Sequence, residues 1–175
     1  MKTVEEPDVL HQRLVRWQDP APMIAAVQEM SGRDFLEAVR DGKVPPPPVT
    51  DLVDFVFDEV GDGTVSMVLT PNESHYNPIG AVHGGIIATV LDSVMGCSVH
   101  SRLPAGTGYT TLEIKVNYLR GVTRATGPVR ATGKVLHLGR QTAMAEAALV
   151  DGAGRLLAQA TTTCLIFTFE EMRRR

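Results

Sequence analysis

Apolar and polar positions change rhythm along this chain. Up to Pro48 the apolar residues recur at helical spacing. Val9, Leu10, Leu14 and Trp17 form one stripe that ends before Pro20, and Phe35, Leu36 and Val39 form a second. Ser31 with Asp34 three residues later reads as a capping box that opens the second helix, which stops near Gly42. Pro45 to Pro48 then read as a stiff polyproline II connector.

From Asp54 the period becomes two. Asp54 to Val60 and Thr64 to Thr70 predict a hairpin around Gly61-Asp62-Gly63. After a loop over Pro71 to Gly80, the run from Val82 to about His100 is apolar on most sides and predicts one long buried helix. Four strand-like runs follow: Thr110 to Leu119, Pro128 to Leu138, Gln141 to Val150 and Arg155 to Phe169. The first alternates cleanly, with Leu112, Ile114, Val116 and Tyr118 on one face and Glu113, Lys115 and Asn117 on the other. Short turns at Gly139-Arg140 and Asp151-Gly152-Ala153-Gly154 predict an antiparallel meander. The order β-β-α-β-β-β-β gives an α+β domain in which a curved antiparallel sheet of about six strands wraps a long central helix. Residues 1–48 read as an N-terminal helical extension and connector, 49–169 as the domain and 170–175 as a charged tail.

The 175 residues suit one domain, and 43% apolar with 21% charged residues excludes disorder throughout. A net charge of −3 excludes a general nucleic-acid binder. Its layout is uneven. Val44 to Ser101 holds no Lys or Arg but has Asp51, Asp54, Asp58, Glu59, Asp62, Glu73 and Asp92. Arg102 to Arg140 holds Arg102, Lys115, Arg120, Arg124, Arg130, Lys134 and Arg140 against Glu113 alone, room for a local site that receives a small polyanion. Cys97 and Cys164 lie apart in apolar surroundings, with no CxxC, and read as free thiols in a reducing cytosol. The charged start, Met1 to Asp8, lacks an apolar core for a signal peptide, and Pro78 to Leu91 is too short to cross a membrane, so a cytoplasmic protein is expected.

Asp92 stands in the middle of the apolar helix, where a carboxylate is costly unless it has a partner or opens onto a wet cleft. It is a candidate general base or nucleophile. Gly85, Ala88, Thr89, Asp92 and Gly96 form a strip of small residues on one helix face, which allows another backbone to approach or the chain's own sheet to pack closely. At the helix start, His83-Gly84-Gly85 offers backbone N–H groups to a developing oxyanion. His83 and Asp92 are nine residues apart, so at about 100° per residue they point to opposite sides, separated by roughly 13 Å. If both serve one reaction, two chains must share the site.

Asn77-x5-His83-Gly84-Gly85-x6-Asp92 within this order of elements resembles the hotdog-fold acyl-CoA thioesterases of the phenylacetate-pathway (PaaI) type. Gly108 to Glu113 and Lys115 to Tyr118 are similar to that family's third strand, and the likeness spans roughly Val49 to Thr168. The resemblance implies hydrolysis of an acyl-CoA thioester without metal or redox cofactor. It implies Asp92 as base or nucleophile, Gly84 N–H polarising the carbonyl, and Asn77 orienting water or substrate. His83 would support the glycine turn and Thr111, with Thr110 less directly, would lie beside the carboxylate. The site would be shared in a homodimer or a dimer of dimers. Gly85, His137, Gly139, Arg140, Arg120 and Arg124 are the candidates for substrate and CoA-phosphate contacts, with Arg102 also possible. Two alternatives stay open. A non-catalytic acyl-CoA binding module would need the pocket but not Asp92. A hotdog hydratase or dehydratase would need an Asp two residues before Asn-Pro, where this chain has His75.

Overall fold

The computed structural model describes residues 10–174, so Val9 of the first stripe and Arg175 of the tail lie outside the described residues. In chain order the elements are α1 (Ala21–Glu29), α2 (Gly32–Arg40), α3 (Pro48–Val53), β1 (Phe55–Val60), β2 (Thr64–Leu69), α4 (Gly84–His100), β3 (Thr107–Tyr118), β4 (Val129–Leu138), β5 (Thr142–Val150), β6 (Leu156–Thr168) and α5 (Phe169–Arg173). The strands form one antiparallel sheet in the order β1-β2-β4-β5-β6-β3. The expected hairpin and meander are present, and β3 is carried beyond β6 to become an edge. This is the curved sheet around a central helix that the element order predicts, and the hotdog fold that the family resemblance implies.

The sheet curves around α4 because both surfaces are apolar and closely fitted. Val90, Leu91, Val94, Met95 and Val99 of α4 are buried with Val65, Met67 and Leu69 of β2 and Val129 and Ala131 of β4. Each large side chain buried this way contributes roughly 1.5–3 kcal/mol. The inner residues of β5 are the small Ala143, Ala145 and Ala147. On β4, Gly133 sits so close to the helix that a Cβ there would come within 2.4 Å of the Val94 carbonyl oxygen. Two helix hydroxyls complete the seam: Ser98 Oγ accepts from Val65 N–H at 3.0 Å and Ser101 Oγ from Gly63 N–H at 2.9 Å. Buried polar groups are thereby paired.

The N-terminal region departs from expectation in three places. Residues 10–19 form no helix; Leu10, Leu14 and Trp17 are exposed and the segment is tied down through Arg13, which donates to Asp51 O at 3.0 Å. A helix stripe without a surface to cover gains too little to form. The first helix, α1, instead starts after Pro20 with Pro22 in its first turn, where the missing N–H costs nothing. Finally, the proline run does not stay extended throughout: Pro48 opens α3. α2 is as predicted, with Ser31 Oγ accepting from Asp34 N–H at 3.2 Å. Its Phe35, Leu36 and Val39 belong to the same core as α4, so α2 is packed into the domain. No helix among the described residues is long and apolar enough to cross a membrane.

β3 carries the other correction. Its pairing with β6 shifts between Thr111 and Glu113, a bulge at Leu112. Leu112 is 57% exposed, whereas Ile114 and Val116 are partly buried against the core. The clean alternation read from Leu112 to Tyr118 thus breaks at its first residue. Ahead of the bulge the odd-numbered Tyr109 and Thr111 face α4; beyond it the even-numbered residues do.

Candidate active site

The loop ahead of α4 is built by side chains. Asn77 Oδ1 accepts from the backbone N–H groups of Ile79 and Ala81, each at 3.1 Å, and the Asn77 amide nitrogen has no partner among the described residues. His83 is the N-cap, and its Nδ1 accepts from Gly85 N–H at 2.9 Å. With that N–H taken, Gly84 N–H is the group at the helix start without a partner among the described residues. It lies at the positive end of the helix dipole. Tyr118 covers this end from β3. Its hydroxyl donates to Gly84 O at 2.8 Å, and its ring would lie 3.1 Å from a Cβ on Gly84. Asn77, Gly84, Tyr118 and Arg120 line one cleft of about 360 Å³.

Asp92 is half-buried, eight residues further along α4. Thr111 donates its hydroxyl to Asp92 Oδ1 at 2.8 Å, and Oδ2 has no partner among the described residues. The bulge at Leu112 is what turns Thr111 inward. Thr110 is exposed on the opposite face, away from the carboxylate. Along the strip, Gly85 is exposed and Ala88, Thr89 and Asp92 are half-buried, so the chain's own sheet does not cover it. Only its far end is closed: a Cβ on Gly96 would meet the Tyr109 ring at 2.4 Å.

The charge split resolves in part into three ion pairs between its halves. Arg130 pairs with Asp58, Arg102 with Asp62 at 3.5 Å and Arg124 with Glu73 at 3.6 Å. Arg120 donates to Leu156 O beside the Asn77–Gly84 cleft. Arg140 and Gly139 lie instead with Arg102 around a cleft of about 540 Å³, near the C-terminal end of α4. His137 is exposed with its ring folded over Gly139. The bases therefore line two clefts rather than one. Both cysteines are free, and burial holds the Cys97 thiol up at about 12 and raises Cys164. Among the described residues no cluster of His, Cys, Asp and Glu is placed to hold a metal ion.

Tyr118 is the residue at this site that the sequence left in the strand. Its signal was available: an aromatic hydroxyl closing the apolar face of β3.

Residues 79–158 match the sequence profile described as the thioesterase superfamily. The 1,4-dihydroxy-2-naphthoyl-CoA hydrolase of Escherichia coli K12 is 28% identical over 138 residues, which cover 76% of this chain and 93% of that protein. A Halobacterium salinarum protein carrying an esterase name is 31% identical over 109 residues, 59% of this chain and 70% of its own. Among solved structures, a Ralstonia eutropha protein described as a thioesterase related to phenylacetic acid degradation superposes with a TM-score of 0.68. It is 26% identical and covers 74% of this chain and 98% of its own.

Proposed function

The chain belongs to the thioesterase superfamily, and on that premise we propose that it hydrolyses an acyl-CoA thioester to a carboxylic acid and CoA with Asp92 as the acting carboxylate. The observation that carries this reading is the hydrogen bond from Thr111 to Asp92 Oδ1. It fixes the carboxylate and leaves Oδ2 open on the uncovered strip of α4. As base, Asp92 takes a proton from water as the water oxygen attacks the thioester carbonyl. The oxyanion that forms is held by Gly84 N–H, and its collapse breaks the C–S bond and returns a proton to the CoA sulfur. Asn77, with its amide nitrogen free to donate, orients the water or the carbonyl. The second mode, direct attack by Asp92, passes through an acyl-Asp anhydride.

Eight residues of helix separate Gly84 from Asp92, roughly 12 Å, so one carbonyl cannot touch both in one chain. A second copy solves this. β3 is a long edge strand with no partner on its outer side among the described residues. Pairing with a second β3 sets two α4 helices side by side, the start of one against the middle of the other. The CoA phosphates then fall to the two candidate arginines that have no acidic partner among the described residues, Arg120 and Arg140.

Asp92→Asn tests the chemistry. Thiol release from a panel of aromatic, short and long acyl-CoA esters is expected to fall by about 10²–10⁴-fold with the circular dichroism unchanged. Near-normal turnover would sink the assignment. In single turnover in H₂¹⁸O, label found in Asp92 identifies an anhydride opened by water at the Asp92 carbonyl, since general-base attack puts none there.

A further inference from the structure

The groups that fix Gly84 N–H reach well beyond the start of α4. At His83 and Gly84 every backbone polar group but that one is engaged. His83 N–H donates to His75 O at 2.7 Å, and His83 O accepts from Ile86 N–H at 2.9 Å. His83 Nδ1 holds Gly85 N–H and Tyr118 holds Gly84 O, so both ends of a single peptide unit are pinned.

His75, which anchors the first of these bonds, is itself held from a distant part of the chain. Its ring is only 3% exposed. Nε2 meets Asn72 Nδ2 and Arg13 Nη1, each at 3.2 Å. Asn72 Oδ1 accepts from Ser74 N–H, so the Asn72 amide nitrogen is the atom that faces the ring. Both neighbours of Nε2 are therefore donors only, which makes Nε2 the bare acceptor of a neutral imidazole. Nδ1 then carries the hydrogen, and the approach of Asn72 N–H to it at 3.4 Å is a contact rather than a hydrogen bond. Burial, and then the Arg13 charge, hold this imidazole below its ordinary value, which agrees with the neutral form.

The Arg13 guanidinium joins three places at once. Nη2 donates to Asp51 O of α3 at 3.0 Å, and Nη1 reaches Ser74 Oγ at 3.4 Å as well as His75. A rigid fork of donors suits such a junction, where an ammonium would act as a point charge. Beside it, His11 lies 3.5 Å from Glu73, and Glu73 lies 3.6 Å from Arg124 beyond β3. Leu10, Leu14 and Trp17 of the same segment are exposed, so its hold on the 73–75 turn is mainly polar.

We propose that Arg13 is a positioning residue for the oxyanion end of α4: it sets His75, His75 O sets the His83 cap, and the cap leaves Gly84 N–H free to donate. The inference rests on the acyl-CoA reading of Asp92 and Gly84. It gives the segment ahead of α1 a function in the reaction without contact with substrate.

The test compares Arg13→Ala with Arg16→Ala, which removes the same charge from the same segment at an exposed residue with no side-chain partner among the described residues. With the acyl-CoA ester that the wild type cleaves fastest, Arg13→Ala should lower kcat about tenfold with KM within about twofold and circular dichroism unchanged. A misplaced donor weakens binding of the transition state more than of the substrate. Arg16→Ala should match the wild type. Amide hydrogen exchange at His83 reads the same clamp without substrate, and it should quicken about tenfold in Arg13→Ala alone. An unchanged kcat in Arg13→Ala, a loss in KM alone, or an equal fall in Arg16→Ala would each overturn the proposal. If the wild type cleaves no CoA ester, the reading of Asp92 fails, and the exchange rate then decides: an unmoved His83 amide in Arg13→Ala would overturn the positioning role.

Discussion

The two ends of α4 are built from opposite materials. The N-terminal end is glycine and loop, half-exposed, with backbone N–H groups held by Asn77 and His83 and the Gly84 carbonyl held by Tyr118. The C-terminal end is closed, with His100 buried among Phe35 and Tyr109 and the chain returning over it at Gly32. On the proposed reading the two ends divide the labour along one helix. An oxyanion needs backbone donors that no side chain crowds, whereas a helix end anchored in the core needs walls that exclude water. Asp92 stands between the two.

If the closed end is as tight as its geometry implies, Gly32→Ala is the most damaging small change. Its Cβ would come within 1.7 Å of the His100 carbonyl oxygen, backbone that cannot yield without moving α2. A loss of about 3 kcal/mol or more is expected in urea unfolding. A near-native midpoint would mean that α2 is loosely docked.

The buried imidazole gives the closed end a pH signature of comparable size. Its folded value near 4 is below the ordinary 6.5, so the unfolded chain binds the extra proton between those values. Stability should be full above about pH 6.5 and fall by roughly 3 kcal/mol as pH drops to 4. His75, buried beside Arg13, is also lowered and acts in the same direction. Asp151, held low by Arg155, contributes losses only further into acid. The difference between wild type and His100→Phe across this window isolates His100, and parallel curves would refute its burial as a neutral ring.

The open end should respond the other way, losing function before stability. His83→Ala removes the N-cap acceptor of Gly85 N–H, worth about 1 kcal/mol. Thiol release should fall further than that stability change explains, because Gly84 N–H is no longer held as the free donor. A thermal shift matched by unchanged turnover would leave His83 as a cap alone.

Much of the fold was legible because its signals are local. The helix Gly84–His100 and the six strands follow from hydrophobic period and turn chemistry, and the cap at Ser31 from a three-residue spacing. The candidate site was legible where residues sit on one element, as Asp92, His83 and Gly84 do. Thr111 beside Asp92 came from family likeness, and the bulge that aims it could not be read from alternation, since Leu112 fits the apolar face by type. The stripe of Leu10, Leu14 and Trp17 misled for a related reason. Its spacing is helical, but no packed surface is there to hold it. The segregated charges suggested a basic cleft, yet Asp58, Asp62 and Glu73 fold back onto Arg130, Arg102 and Arg124.

The sequence by itself determined which segments are strands and helix, and which carboxylate stands in apolar surroundings, because period and burial cost act between near neighbours in the chain. Tertiary structure alone decided that Tyr118 closes over Gly84, that α1 and α2 pack beside His100, and that Asp58, Asp62 and Glu73 pair with Arg130, Arg102 and Arg124. Those pairings join residues tens of positions apart, and their energy exists only once the sheet has curved around α4 and brought them within contact distance.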